Sequence, residues 1–188
     1  MPGRISKTAL PGVVLIEPRV FEDNRGFFME TFHQGKYERA GIDAPFLQDN
    51  YSHSRRGILR GLHYQLKNGQ AKLVYVTRGE IFDVAVDIRQ GSPFFGQWAG
   101  TILSDRNRQQ IYVPEGFAHG FCVLSETADV MYKCTDFYAP GDEYGVSWAD
   151  PVINIDWPIK DPILSEKDSQ NPNLSGIPKE HLPIYPKS

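Results

Sequence analysis

The chain has 188 residues, 40% apolar, 23% charged and 12% aromatic, with a formal net charge of -3. That length suits one domain, residues 1–188, with a sizeable core, and the acidic balance offers no general basic field, which argues against a nucleic-acid partner. The opening stretch Met1-Pro-Gly-Arg-Ile-Ser-Lys-Thr-Ala-Leu-Pro11 holds no apolar run long enough for a signal peptide, and no later stretch could span a bilayer, so a soluble cytoplasmic protein without membrane contact is expected.

In chain order, short β-branched and aromatic runs separated by Gly, Pro, Asn or Asp predict strands at Val13–Val20, Phe27–Phe32, Ile58–Gln65, Lys72–Thr77, Ile81–Ile88, Trp98–Leu103, Gln110–Val113, Gly120–Leu124 and Val130–Thr135. Arg78-Gly79-Glu80 makes a tight turn between two of them. Helix is confined to a turn at Lys36–Ala40 and a short piece after Ser165, where Asp168 three residues on gives a capping pattern. From about residue 169, Pro172, Pro178, Pro183 and Pro186 predict coil wrapped on a surface. The number and even spacing of the strands favour an all-β jelly roll, two sheets closed around a cavity, with short peripheral helices. Cys122 and Cys134 lie in strand-like segments without paired spacing and are expected as small buried core residues.

Two segments place a histidine in a specific setting. Gly57-Ile-Leu-Arg-Gly-Leu-His63-Tyr-Gln65, with Gly79 closing the next strand, and Pro114-Glu-Gly116-Phe-Ala-His119 resemble the two halves of the cupin metal-binding signature. In words that signature is Gly, five residues, His-x-His, a Glu, then Gly, and later Pro-x-Gly-x-x-His. Here Gln65 stands for the second His, and the Glu slot falls near Gln70 or Lys72. Two imidazoles remain, and neither an amide nor an ammonium replaces imidazole or carboxylate in a closed transition-metal site. The expectation is a barrel that keeps its site and has dropped its metal.

Strand alternation shows which side chains share a face. Tyr132 shares parity with Val130 and Cys134, Lys72 with Val74 and Val76, and His63 with Leu59 and Gln65; Arg60 falls on the other parity unless Gly61 marks a bulge. Singly, each has an ordinary explanation: a hydrogen-bonded core histidine, a satisfied core tyrosine, a solvated lysine. Together, an interior holding His63, Gln65, Lys72, His119 and Tyr132 is too polar for a simple core and reads as a site. Arg25 in Asp23-Asn-Arg-Gly-Phe-Phe and Arg60 in Leu59-Arg-Gly-Leu-His-Tyr sit beside Gly among aromatics, a setting in which a guanidinium grips phosphate and a ring stacks base or sugar. Arg55, Arg56, Arg106 and Arg108 lack it and are expected on a solvated surface.

Phe21-Glu-Asp-Asn-Arg25-Gly-Phe-Phe-Met-Glu30, Gln48-Asp-Asn50-Tyr-Ser, Leu59-Arg60-Gly-Leu-His63-Tyr-Gln, Pro114-Glu-Gly-Phe-Ala-His119-Gly-Phe, Met131-Tyr132-Lys and Leu164-Ser-Glu-Lys167-Asp168 resemble, in order from about residue 10 to 170, the dTDP-4-dehydrorhamnose 3,5-epimerase family. The resemblance implies a dimeric jelly roll without metal or organic cofactor, acting on dTDP-4-dehydro-6-deoxy-glucose. It implies His63 as base oriented by Asp168, Tyr132 as the acid on the opposite face, Lys72 as holder of the C4 oxygen and His119 as a sugar contact. Arg25, Glu30, Gln48, Asp49, Asn50, Arg60, Glu143 and Lys167 carry over as nucleotide or sugar contacts, with Glu30 and Gln48 reaching the partner subunit's site.

Three rival readings stand beside it. A single-carbon epimerase of deoxysugar biosynthesis would use nearly the same residues. A metal-dependent cupin would have to work with His63 and His119 as its only protein donors. A non-catalytic nucleotide-sugar-binding cupin would need no acid and base on opposite walls.

Overall fold

The structure, a computed structural model, describes residues 2–43 and 45–186; Met1, part of the stretch read for a leader, lies outside them. Among the described residues, thirteen strands and two short α-helices follow in chain order: β1 (Gly3–Lys7), β2 (Val14–Pro18), β3 (Val20–Asp23), β4 (Gly26–Met29), α1 (Gln34–Glu38), β5 (Gln48–Arg55), β6 (Leu59–Gln65), β7 (Lys72–Arg78), β8 (Glu80–Asp87), β9 (Trp98–Ser104), β10 (Gln110–Val113), β11 (Phe117–Val123), β12 (Thr127–Cys134), β13 (Glu143–Gly145) and α2 (Glu166–Ser169), with single 3-10 turns at Leu174–Gly176 and Lys179–His181 in the segment expected as coil. One sheet has the order β1-β2-β10-β7-β12-β5, the other β13-β6-β11-β8-β9, and β3 with β4 forms a separate hairpin. Sequential neighbours often lie in different sheets, as a jelly roll requires.

Alternation sorts the side chains into three apolar layers. Val74, Val76, Ile81, Ala85, Phe117, Phe121, Val123 and Val130 meet between the sheets. Leu62, Tyr64, Val84, Val86 and Ala118 face the other way, under Ile153, Leu174, Ile177 and Leu182. Both faces of β8 and β11 are thus covered, and every residue of β11 is buried. Ile16 and Leu73, on the outside of the first sheet, pack with Tyr37 of α1 and Ile42.

Several boundaries differ from the sequence reading. The expected strand Val13–Val20 divides into β2 and the start of the hairpin, and β11 begins at Phe117, so that His119 lies inside a strand. Gly116, at φ 84, turns the chain immediately before it. Three strands were not foreseen: β1, β5 and β13. β5 is an edge strand that pairs only with β12, and its sequence, Gln-Asp-Asn-Tyr-Ser-His-Ser-Arg, has no apolar alternation because its inward face is polar. The helix expected at Lys36–Ala40 forms two residues earlier. The piece after Ser165 is α2, with the Ser165 hydroxyl accepting the Asp168 N–H at 3.0 Å. Cys122 and Cys134 are free and buried, as expected.

Candidate active site

One wall of the polar site is built on β6 and β11, paired neighbours in the second sheet. Their register sets His63 directly opposite His119, then slips before Phe121 meets Arg60. The condition set for Gly61, a bulge, is thus met, and Arg60 lines the cavity. Only glycine fits there, since a Cβ on Gly61 would lie 2.6 Å from the Gly120 Cα and 2.8 Å from the His119 carbonyl oxygen. The cavity, about 500 Å³, is lined by Arg60, His63, Lys72, His119, Tyr132, Glu143, Lys167 and Asp168, together with Ser52 and Leu59. Its volume falls in the range typical of small-molecule sites.

Each histidine has its own carboxylate. His63 Nε2 lies 2.5 Å from Asp168 Oδ1, and the Gly61 N–H donates to Asp168 Oδ2 at 3.4 Å. Burial pushes the Asp168 carboxyl up, but the hydrogen bond and charge of His63, with bonds from Gly61 and Ser165, outweigh it and hold it below the usual carboxylate range. The carboxylate is therefore fixed as an anion that orients the ring. His119 Nε2 lies 2.9 Å from both oxygens of Asp83, which is completely buried.

Facing this wall across the cavity, β7 and β12 of the other sheet present Lys72 and Tyr132. Tyr132 pairs with Val74 and Asn50, and Cys134 pairs with Lys72. Burial raises the Tyr132 hydroxyl above its ordinary value, helped by Cys134 and Glu143 and opposed by Arg60, so it stays a proton donor in neutral solution. Burial lowers the Lys72 ammonium, with partial compensation from Cys134, Glu143 and Asp83. Lys72 retains some exposure within the cavity. Among the described residues it has no hydrogen-bond or ion-pair partner, which leaves its N–H groups free for an anionic oxygen.

Glu143 completes the rim: its Oε1 is 3.9 Å from His63 Nδ1, and its other oxygen pairs with Lys167. A second hollow of about 210 Å³ adjoins the cavity, sharing His63, Lys72, Tyr132 and Glu143 and adding Gln48, Asn50, Gln65, Gln70 and Tyr138. Gln65 was expected in the main cavity but lines this side hollow, because its carboxamide is turned to the chain around residues 137–139. Gln70 is likewise engaged, donating to the Asp136 carbonyl.

Other expected contacts lie away from the cavity. Arg25 is exposed on the β3–β4 hairpin, paired with Asp23 at 2.5 Å. Glu30 pairs with Lys36 at 2.7 Å, and Asp49, on the outward face of β5, pairs with Lys133 at 2.8 Å. Arg108, expected on a solvated surface, instead pairs with Glu22 at 2.6 Å and covers the Phe27 ring at 4.0 Å. Sequence reasoning missed Asp83, Ser52 and Tyr138. Asp83 carried a signal: it is a charge on the inward parity of Ile81 and Ala85. Ser52 and Tyr138 carried none.

The donor set does not suit a closed transition-metal site, since His63 and His119 are its only imidazoles and the remaining motif positions hold an ammonium, Lys72, and an amide turned away, Gln65. The arrangement suits proton transfer: a carboxylate-oriented imidazole on one wall, with a protonated phenol and a cation on the other.

Residues 7–176 match the family model described as dTDP-4-dehydrorhamnose 3,5-epimerase. The chain is 58% identical over 87% of its length to the Neisseria gonorrhoeae protein of that name, spanning 50% of that longer relative. It is 56% identical over 89% of its length to the Pseudomonas aeruginosa protein of the same name, spanning 93% of it. A crystal structure of dTDP-6-deoxy-D-glucose-3,5-epimerase from Legionella pneumophila, in complex with dTDP-4-keto-L-rhamnose, superposes with a TM-score of 0.96. It is 50% identical and covers 98% of this chain and 99% of that one.

Proposed function

This chain belongs to the dTDP-4-dehydrorhamnose 3,5-epimerase family, and on that premise we propose that it inverts C3 and C5 of dTDP-4-dehydro-6-deoxy-D-glucose to give dTDP-4-dehydro-L-rhamnose. Both protons flank the C4 ketone, so removing either leaves an enolate with its charge on the C4 oxygen. His63, oriented by Asp168, takes the proton; the Lys72 ammonium holds the C4 oxygen; Tyr132 returns a proton from the opposite face. Once His63 has passed its proton to solvent and Tyr132 has regained one, repetition at the second carbon completes the reaction. The observation that carries this reading is that His63 and Tyr132 belong to different sheets and line one cavity from opposite sides. A module that only binds would need no such pair.

Arg60, His119, Gln48, Asn50, Glu143 and Lys167 would hold the nucleotide and sugar. Arg25, Glu30 and Asp49 do not reach their own cavity, and a dimer accounts for the first two. The β3–β4 hairpin carries Phe21, Phe27 and Phe28 at 50%, 55% and 69% exposure, a patch suited to a second copy of the chain. Across that contact Arg25 and Glu30 would serve the partner's site.

The test is to incubate the protein with the ketosugar nucleotide in heavy water, with and without a metal chelator. Deuterium at both C3 and C5 of the L-rhamno product, unaffected by chelation, is expected. Deuterium at one carbon only would establish the single-carbon epimerase, and a metal requirement would overturn the proposed chemistry.

A further inference from the structure

Gln65 occupies the place of a metal ligand in the half-motif around His63, and its carboxamide is fully used elsewhere. It is 5% exposed. Its Nε2 donates to the carbonyl oxygens of Asn68 at 2.7 Å and Phe137 at 3.2 Å, and its Oε1 accepts the Ala139 N–H at 2.9 Å. One side chain thus ties the β6 strand to the loop that follows β12. Beyond that loop, Glu143 pairs in register with Gln65 itself. Between them, the Tyr138 N–H donates to Gln48 Oε1 at 2.9 Å, and the Tyr138 hydroxyl to Glu143 Oε2 at 3.3 Å. Gln65, Gln48, Tyr138 and Glu143 all line the side hollow.

We propose that Gln65 is a positioning residue for the epimerase site: its carboxamide fixes the start of the wall of residues 137–143, and so places Tyr138, whose hydroxyl meets the Glu143 that β13 sets beside His63 and Lys167. The proposal rests on the reaction given above for what the site does, but not for the geometry. His63, Lys72, Tyr132 and Asp168 are anchored by their own strands and by α2, so loosening the wall costs substrate binding before it costs chemistry. A glutamine is suited to the task because it alone supplies two donors and an acceptor at that reach. Losing them leaves the Phe137 carbonyl and Ala139 N–H of the loop after β12, and the Asn68 carbonyl, to be satisfied by water, and the segment around residues 137–139 loosens.

Gln65→Leu keeps the volume and removes all three bonds. Hydrogen exchange of amides 137–143 should rise at least about tenfold relative to the rest of the chain, and KM for the ketosugar nucleotide should rise about tenfold with kcat within about threefold. Gln65→Glu keeps the acceptor but sets a carboxylate against two carbonyls. Burial raises such a carboxyl and protonation returns one donor, so its KM, relative to wild type at the same pH, should fall as the pH is lowered. A Leu variant with KM within twofold of wild type, whatever its Tm, overturns the positioning role. So does a loss in kcat with KM unchanged, or unchanged exchange at 137–143. If wild-type protein fails to epimerise, the proposed reaction falls separately; the exchange measurement needs no substrate and still decides whether Gln65 holds the wall.

Discussion

Inversion requires proton removal on one face and delivery on the other, and this separates the roles of His63 and Tyr132 experimentally. His63→Ala should lower kcat roughly a thousandfold, within the range for a lost general base, and place no solvent deuterium at C3 or C5. Tyr132→Phe keeps the base, so His63 can remove a proton and return deuterium to the same face. Exchange should persist at one or both carbons while inverted product falls roughly a hundredfold. Inversion of both centres at near wild-type rate by the Phe variant would remove Tyr132 from the role of acid.

Lys72 has its own signature in pH. Its ammonium must be charged to hold the enolate oxygen, and burial lowers it from the ordinary lysine range. Activity that depends on it is therefore present below its shifted value and lost as pH rises through that value, while Tyr132, shifted upward, keeps its proton. The alkaline limb of kcat/KM should lie below the normal lysine value of about 10.4. Lys72→Met should lower the plateau by about 100-fold or more and abolish that limb. An unchanged limb in the Met variant would assign it to another group.

Among the elements, the β3–β4 hairpin invites the most direct test. It pairs only with itself, and it is held by Arg108, paired with Glu22 and lying over Phe27, and by Arg19, 4.7 Å over the Phe21 ring. These clamps leave the Phe28 ring outward. Phe28→Asp should shift the protein toward monomer in light scattering and weaken dTDP binding at least about tenfold, since Arg25 would no longer reach a neighbouring site. A Phe28→Asp dimer with wild-type dTDP affinity would reject the hairpin as the interface. The hairpin also shows why strand length was overread: an aromatic run predicts β structure, yet nothing in it says that the chain leaves the sheet after Pro18.

For the molecule as a whole, buried carboxylates set the acid limit of stability. Asp87 is completely buried; burial raises its carboxyl, but hydrogen bonds from Arg89 and Ser92 and the Arg89 charge outweigh that and lower it. Asp142, capping the Lys67 and Asn68 N–H groups, and Asp168 shift the same way. A carboxyl lowered on folding stabilises the fold above its unfolded value, and that contribution is lost as pH falls through the folded value. Tm should be flat above about pH 5 and fall steeply below about pH 4. Asp87→Ala should cost about 3 kcal/mol at neutral pH, or roughly 10 °C in Tm, and flatten the acid slope. An unchanged slope would shift the acid limit to other groups.

Local pattern alone determined the all-β class, the inward parity of Lys72 and Tyr132, and the two histidine half-motifs, because alternation and turn residues act over a few positions. A bulge at Gly61 was legible there only as a condition for Arg60 to share the wall of His63, and the register between β6 and β11 decided it. Tertiary structure decided what local pattern does not encode. Asp168 and Asp83 meet their histidines across 105 and 36 residues of chain, and β5 is a strand by pairing with β12 despite its polar sequence. Gln65, legible as a missing ligand, found its task only through a loop more than seventy residues away. Hydrophobic periodicity reports a side chain's contact with the core, so it falls silent where a strand faces a polar cavity. The register between strands, which sets His63 opposite His119, exists only once both sheets have closed.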